Sequence, residues 1–217
     1  ACPEAHYCPE GSSVALPCPA GTFGNASGLK VEQECHACPV GHFCGPGVSQ
    51  PTACSRGTVA PNENTIACKN CGAGTYQEEA GQTACRSCRT GSFCPEGASA
   101  PLPCEEGTYS DATDLMSADD CTPSTPGYYA TTGSTEQRPC PPGTQQPESK
   151  KGQCTDCEAG KFVNASGAMI CHPCRPGSFC PVRASAPLPC EGGSFGSATG
   201  LVAQAECTVC PAGTYCF

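Results

Sequence analysis

Apolar positions along this chain follow neither the 3.6-residue spacing of a helix nor the alternation of a long strand. Large side chains recur singly, the modules that carry them starting 16 to 20 residues apart, each side chain five positions after a Cys in the pattern C-x-x-G-x-[FY]. The pattern starts at Cys2, Cys18, Cys38, Cys54, Cys71, Cys88, Cys104, Cys140, Cys157, Cys174, Cys190 and Cys210, with a degenerate copy at Ser124. Twelve of these thirteen modules carry Gly at the fourth position, Ala5 being the exception, and a Gly at a fixed offset predicts a tight turn with positive φ. Eleven carry the aromatic: Tyr7, Phe23, Phe43, Tyr76, Phe93, Tyr109, Tyr129, Phe162, Phe179, Phe195 and Tyr215. Val59 and Gln145 replace it, and only Tyr128 and Phe217 lie outside the register. Each ring is expected to pack on its own disulfide and on the neighbouring module. Short extended pieces and turns should dominate. The stretches Leu29–Glu34, Leu115–Asp120 and Leu201–Glu206 have room for about one helical turn, with Leu29, Leu115 and Leu201 plugging the loop interior.

A longer period contains the short one. An 86-residue shift, without gaps, carries Cys2 onto Cys88 and Cys174, Cys18 onto Cys104 and Cys190, and Cys35 onto Cys121 and Cys207. It also carries Cys54, Cys68, Cys71 and Cys85 onto Cys140, Cys154, Cys157 and Cys171. Residues 88–121 and 174–207 are identical at 20 of 34 positions. The domain organisation read from this period is 1–87, 88–173 and a partial third copy, 174–217.

Composition explains why such a chain folds at all. Of 217 residues 24 are Cys, 26 Gly and 23 Pro, there is no Trp, and without Cys the apolar share drops to about a quarter, too little for an ordinary core. Cross-links have to replace it. Taken as consecutive couples the cysteines close loops of three lengths. The five-residue loops are Cys2–Cys8, Cys38–Cys44, Cys88–Cys94, Cys174–Cys180 and Cys210–Cys216; the thirteen-residue loops are Cys54–Cys68, Cys71–Cys85, Cys140–Cys154 and Cys157–Cys171. Sixteen residues lie within Cys18–Cys35, Cys104–Cys121 and Cys190–Cys207. The long shift places Cys38 on Ser124 and Cys44 on Ala130, so both members of one couple vanish together. An interlocked pattern, Cys35–Cys44 with Cys38–Cys54, is the open alternative. Each bridge is worth on the order of 2–3 kcal/mol, so stability should be a sum of near-neighbour terms.

The segments C-P-A-G-T-F at 18–23, C-G-A-G-T-Y at 71–76 and C-P-A-G-T-Y at 210–215, joined by C-x-x-C links, resemble the ephrin-receptor-like (GCC-type) cysteine-rich repeat. The thirteen-residue loops are similar to the smallest module of tumour-necrosis-factor-receptor cysteine-rich domains. The resemblance implies an elongated extracellular rod and brings no catalytic residue with it. The expected fold class is therefore small and disulfide-rich: an elongated tandem-repeat rod of β-turn and hairpin units, almost free of helix, without a large hydrophobic core.

Other chemistries are weaker. The spacing of Cys68, Cys71, Cys85 and Cys88 falls just short of a zinc ribbon, but the intervening regular cysteines favour a disulfide framework. No βαβ pattern surrounds any C-x-x-C, which disfavours redox catalysis. His6, His36, His42 and His172 fall at variable module positions, and Glu105–Glu106 and Asp119–Asp120 lack a calcium-loop pattern. No catalytic residue, metal or cofactor is expected. Asn25-Ala26-Ser27 and Asn164-Ala165-Ser166 are N-glycosylation acceptors, and Thr122–Thr135, beside the missing couple, is open to O-glycans on composition and reads as a flexible joint. A net charge of −9 with no basic cluster argues against nucleic acid, no apolar run reaches membrane-span length, and the N-terminus lacks a signal peptide's pattern, as in a mature or excised segment. The first functional expectation is a structural segment of an extracellular glycoprotein fibre, stalk or surface coat that self-assembles end to end or laterally, or binds other extracellular proteins. The alternative is a receptor-like ectodomain with a protein-binding face, ranked second for want of off-register aromatics and Arg anchors.

Overall fold

A computed structural model describes residues 1–216; the Phe217 ring lies outside the described residues. Every strand is two residues long, and the helical content is three 3-10 turns, Glu32–Glu34, Ala118–Asp120 and Gln204–Glu206, within the stretches allotted one turn. The strands form separate two-stranded antiparallel ladders. Each pairs the module's aromatic-bearing strand with the two residues before the next module opens: Thr22–Phe23 with His36–Ala37, Thr58–Val59 with Lys69–Asn70, Ser178–Phe179 with Leu188–Pro189. The middle residues of a C-x-x-C are thus the second strand of a hairpin.

Consecutive cysteines are joined throughout the described chain, from Cys2–Cys8 and Cys18–Cys35 to Cys190–Cys207 and Cys210–Cys216, with Cα separations of 5.7 to 6.1 Å. No described cysteine is free. Two compact units result. One comprises Ala1–Leu102 with Ala112–Asp120, the other Pro103–Asp111 with Cys121 onward.

Inside each unit the backbone is stitched from module to module. The turn Gly donates to a carbonyl of the next module and accepts from that module's first cysteine, as in Gly21 N to Cys44 O and Cys38 N to Gly21 O, both 2.9 Å. The same arrangement recurs at Gly57, where Gly57 N donates to Gln77 O and Cys71 N to Gly57 O. Ala5 fills the turn position at φ 64° and makes the same pair of bonds, with Gly24 O and Cys18 N.

A second left-handed residue follows in every complete module, nine or ten positions after its start: Gly11, Gly28, Gly47, Asn64, Gly81, Gly97, Asp114, Gly133, Lys150, Gly167, Arg183 and Gly200. From Gly28 onward its N–H donates to the carbonyl of the preceding module's opening residue, for example Asn64 to Cys38 and Arg183 to Cys157. Its own carbonyl covers the turn Gly two modules back. A Cβ on Gly41, Gly57 or Gly127 would lie 2.1 to 2.3 Å from the carbonyl oxygens of Gly81, Gly97 and Gly167. The turn position is therefore glycine for two reasons, conformation and close approach of backbone. Lys150 holds the left-handed position at φ 57°, where its Cβ costs about 1–2 kcal/mol. Lys150→Gly is expected to raise unfolding free energy by about 1 kcal/mol in urea titration, after the entropic cost of Gly. Asn64→Gly should change it by less, because Asn adopts this region more readily.

Half-cystines are the core. Cys18, Cys38, Cys54, Cys71, Cys88, Cys104, Cys140, Cys157 and Cys174 have no exposed surface. The aromatic rests on the next module's bridge rather than on its own: Tyr76 clusters with Cys88, Cys94 and Ala98, and Phe162 packs against Cys174, Cys180 and Ala184. The reason is directional, since the hairpin carries the ring-bearing strand towards the following module.

The residue after the ring decides how each loop is filled. In thirteen-residue loops it is the buried Ala60, Gln77, Gln146 or Val163. In sixteen-residue loops it is small, Gly24, Ser110 or Gly196: a Cβ on Gly24 would lie 3.1 Å from Cys18 Sγ and 3.2 Å from the Ala5 backbone, and one on Gly196 2.6 Å from Leu201 Cδ1. Leu29, Leu115 and Leu201 also bridge in parallel to Tyr7, Phe93 and Phe179 of the preceding module.

The degenerate copy is not the loose joint that its missing bridge suggests. Ser124 and Ala130 are 0% and 1% exposed, and the hairpin Tyr128–Tyr129 with Arg138–Pro139 is intact. The Ser124 hydroxyl donates to Lys151 O at 3.2 Å and accepts from Lys151 N at 3.1 Å. Two hydrogen bonds stand where the equivalent Cys38 has its bridge to Cys44.

Candidate functional site

The residues with chemical potential sit on these loops. Cysteines of a C-x-x-C always belong to different bridges, Cys35 to Cys18 and Cys38 to Cys44, so the motif is a link between loops. Among the described residues no three His, Cys, Asp or Glu side chains gather as a metal site.

The histidines are turn furniture. Nδ1 of His6 donates to Glu4 O at 3.0 Å and Nδ1 of His42 to Val40 O at 3.1 Å. In other modules the same position holds a hydroxyl that donates to the carbonyl three residues back, as Thr22 does to Pro19, Thr75 to Gly72 and Ser194 to Glu191. His36 is tilted against Phe23 with ring centroids 5.5 Å apart, and His172 is exposed on the strand paired with Phe162. Nothing brings the four together as a base with a nucleophile.

Of the acidic pairs, Asp120 has a local partner set. Its Oδ2 accepts from the N–H groups of Met116 and Ser117, both at 2.9 Å, and from the Ser117 hydroxyl. Glu206 accepts from Val202 N in the equivalent way. The backbone N–H bonds of Ser117 and then Met116 stabilise the carboxylate and hold the Asp120 pKa below its ordinary 3.8. A depressed pKa means a stabilising contribution that is complete above the ordinary value and is lost as pH falls through the lowered one. Carbon-detected NMR titration should place Asp120 below the ordinary carboxylate value of 3.8, and Asp120→Asn should remove that acid-limb contribution while leaving the neutral-pH fold intact.

Both sequons are presented to solvent. Asn25 and Asn164 lie two residues after Phe23 and Phe162, on loop segments, with Ser27 and Ser166 also exposed. The residue before each Asn, Gly24 or Val163, is buried, whereas the Asn itself is exposed. The open concavities include a polar groove lined by Glu106, Gln145, Gln146, Glu148, Lys151 and Gln153, and a more apolar one lined by Pro147, Met169 and Ile170. Several apolar side chains are exposed singly, among them Val14, Ile66, Val182 and Val209, while Met169 and Ile170 adjoin.

Three features of the site had no reading in the sequence: the second left-handed position, the Thr or Ser that locks the turn, and the buried Gln of two thirteen-residue loops. Gly-Thr recurs often enough after the turn to have marked the hydroxyl. The other two are masked by changes of residue type from module to module.

No family model matches the chain. Over 54 residues, a quarter of its length, the chain is 41% identical to ephrin type-B receptor 4 of Homo sapiens, a stretch amounting to 5% of that protein. The sequence given therefore spans about one-twentieth of that curated relative. The resemblance to the ephrin-receptor-like repeat rests on this partial match and on twelve disulfides in a repeated pattern. No helix among the described residues is long and apolar enough to cross a membrane.

Proposed function

We propose that this chain is a structural, non-enzymatic segment of an extracellular glycoprotein, a disulfide-laddered stretch of a stalk, fibre or surface coat. The observation that carries this reading is the stitching of module to module inside each compact unit. Turn residues such as Gly21, Gly57, Gly127 and Gly160 bond forward to the next module, second left-handed residues from Gly28 to Gly200 bond back, and every described cysteine is consumed in a bridge. Such a chain spends its chemistry on covalent continuity, and that suits an oxidising compartment. N-linked glycans at Asn25 and Asn164 and contacts between equivalent module surfaces, end to end or lateral, belong to the same proposal. Expression through a secretory pathway, with glycosidase treatment and imaging of the native material, tests it. Mass shifts at Asn25 or Asn164 together with filaments or lateral arrays are expected. Unmodified asparagines and a strictly monomeric product would overturn the glycoprotein and assembly parts of the reading.

One observation favours a second reading, a receptor-like ectodomain: the partial likeness to ephrin type-B receptor 4. A monodisperse monomer that binds a protein partner saturably would favour it over the structural one.

A further inference from the structure

We propose that residues 122–139 are a load-release joint, the stretch that opens furthest when the chain is pulled, held shut at rest by the Ser124 hydroxyl. The inference rests on the structural-segment reading for its biological use, and on bridge topology for its physics. Because the cysteines are joined consecutively, tension passes across each bridge and bypasses the residues enclosed by it. Only chain between successive bridges can lengthen. That chain amounts to two residues at each C-x-x-C, such as 36–37, and nine at 9–17, 45–53, 95–103 and 181–189. Between Cys121 and Cys140 it is eighteen, because the couple that would divide it is Ser124 and Ala130. At about 3.3–3.6 Å per residue this stretch reaches about 60 Å when extended, against about 30 Å for the nine-residue stretches.

Non-covalent contacts alone hold it folded. Ser124 N donates to Gly107 O, Lys150 N to Ser124 O, Ala130 N to Lys151 O and Gly133 N to Cys104 O. The same backbone bonds exist around Cys38 and Cys44, where Asn64 N donates to Cys38 O and Cys44 N to Thr65 O. What differs is the cross-link: a bond that survives load at one site, and two hydroxyl hydrogen bonds to Lys151 at the other. The locked loops on either side return as formed structure when load falls, so the stretch refolds against an intact template.

Single-molecule force spectroscopy on the full oxidised chain, pulled from its two ends, tests this. Steps of about one length from the nine-residue stretches and one step roughly twice as long are expected. Ser124→Ala should lower the force of the long step and leave its length unchanged. Ser124→Cys with Ala130→Cys, whose bridge can form because equivalent five-residue loops have Cα separations near 5.9 Å, should delete the long step. Mass spectrometry of the alkylated protein confirms closure of that bridge. A wild-type trace without a long step, or a long step that persists in the bridged variant, overturns the joint. An unchanged force in Ser124→Ala overturns the latch, and this arm decides even if the double variant stays reduced. Failure of the stalk reading would appear separately, in the localisation and glycan measurements, with the force steps unaltered.

Discussion

Gly57→Ala is expected to abolish correct oxidative folding, with a loss above about 4 kcal/mol, at the far end of what one substitution does. Gly57 sits at φ 80°, and its added Cβ would come 2.2 Å from the Gly97 carbonyl oxygen and 3.0 Å from that carbonyl carbon. Neither atom can retreat easily, because Gly97 N is bonded to Cys71 O, and Gly57 itself bonds to Gln77 O and Cys71 N. The clash is thus backbone against backbone, across three modules. Gly28→Ala is the control. Its φ is 84° but a Cβ there meets nothing within 4 Å, so only the conformational cost of about 1–2 kcal/mol remains. Secreted yield and thiol counts after refolding measure both. Equal losses in the two variants would mean that the stacking of every second module contributes nothing.

Gln77→Ala carries the second largest expected effect, a loss of about 2–3 kcal/mol with faster hydrogen exchange across residues 77–84. Gln77 is 2% exposed and is the largest fully buried side chain of the described chain. Its Nε2 donates to Ala84 O at 2.8 Å and its Oε1 accepts from Glu79 N at 3.0 Å, so one side chain spans the interior of the Cys71–Cys85 loop. Gln146 repeats the arrangement with Gln153 O and Glu148 N. Truncation removes the filling and both bonds. Gln77→Val, imitating the buried Val163 of the Cys157–Cys171 loop, should recover more than half of the loss. A change below about 0.5 kcal/mol in Gln77→Ala would show that the bridge alone fixes the loop.

These two positions mark where the sequence could be read and where it could not. The turn Gly is legible because one residue type satisfies its φ and the approach of a carbonyl together, so it survives at nearly every module. The second left-handed position is hidden because its contact is made by its own backbone, leaving the side chain free to be Gly, Asn64, Asp114, Lys150 or Arg183. Its offset also moves between nine and ten residues with loop type. The near absence of helix and the repeated disulfide pattern follow from spacing that any reader can count. Packing direction follows only in part: each ring is expected on its own bridge and on the neighbouring module, and Tyr76 and Phe162 cluster with the next module's bridge alone. The stretch 122–135 misleads for a related reason, since a missing cysteine couple is visible in the sequence and the two hydrogen bonds of Ser124 are not. Polar residues such as Gln77 look solvated until a loop closes over them. Function is less legible still, because the repeated surface displays sequons and exposed apolar side chains, and among the described residues no cluster of His, Cys, Asp and Glu marks a site.

Peptide mapping of the non-reduced protein, alkylated and treated with glycosidase before digestion, tests the account at its centre. Twelve consecutive bridges, from Cys2–Cys8 to Cys210–Cys216, and converted Asn25 or Asn164 are predicted. Interlocked pairs such as Cys35–Cys44 with Cys38–Cys54, or free thiols that appear only after chelation beside unmodified asparagines, would contradict it.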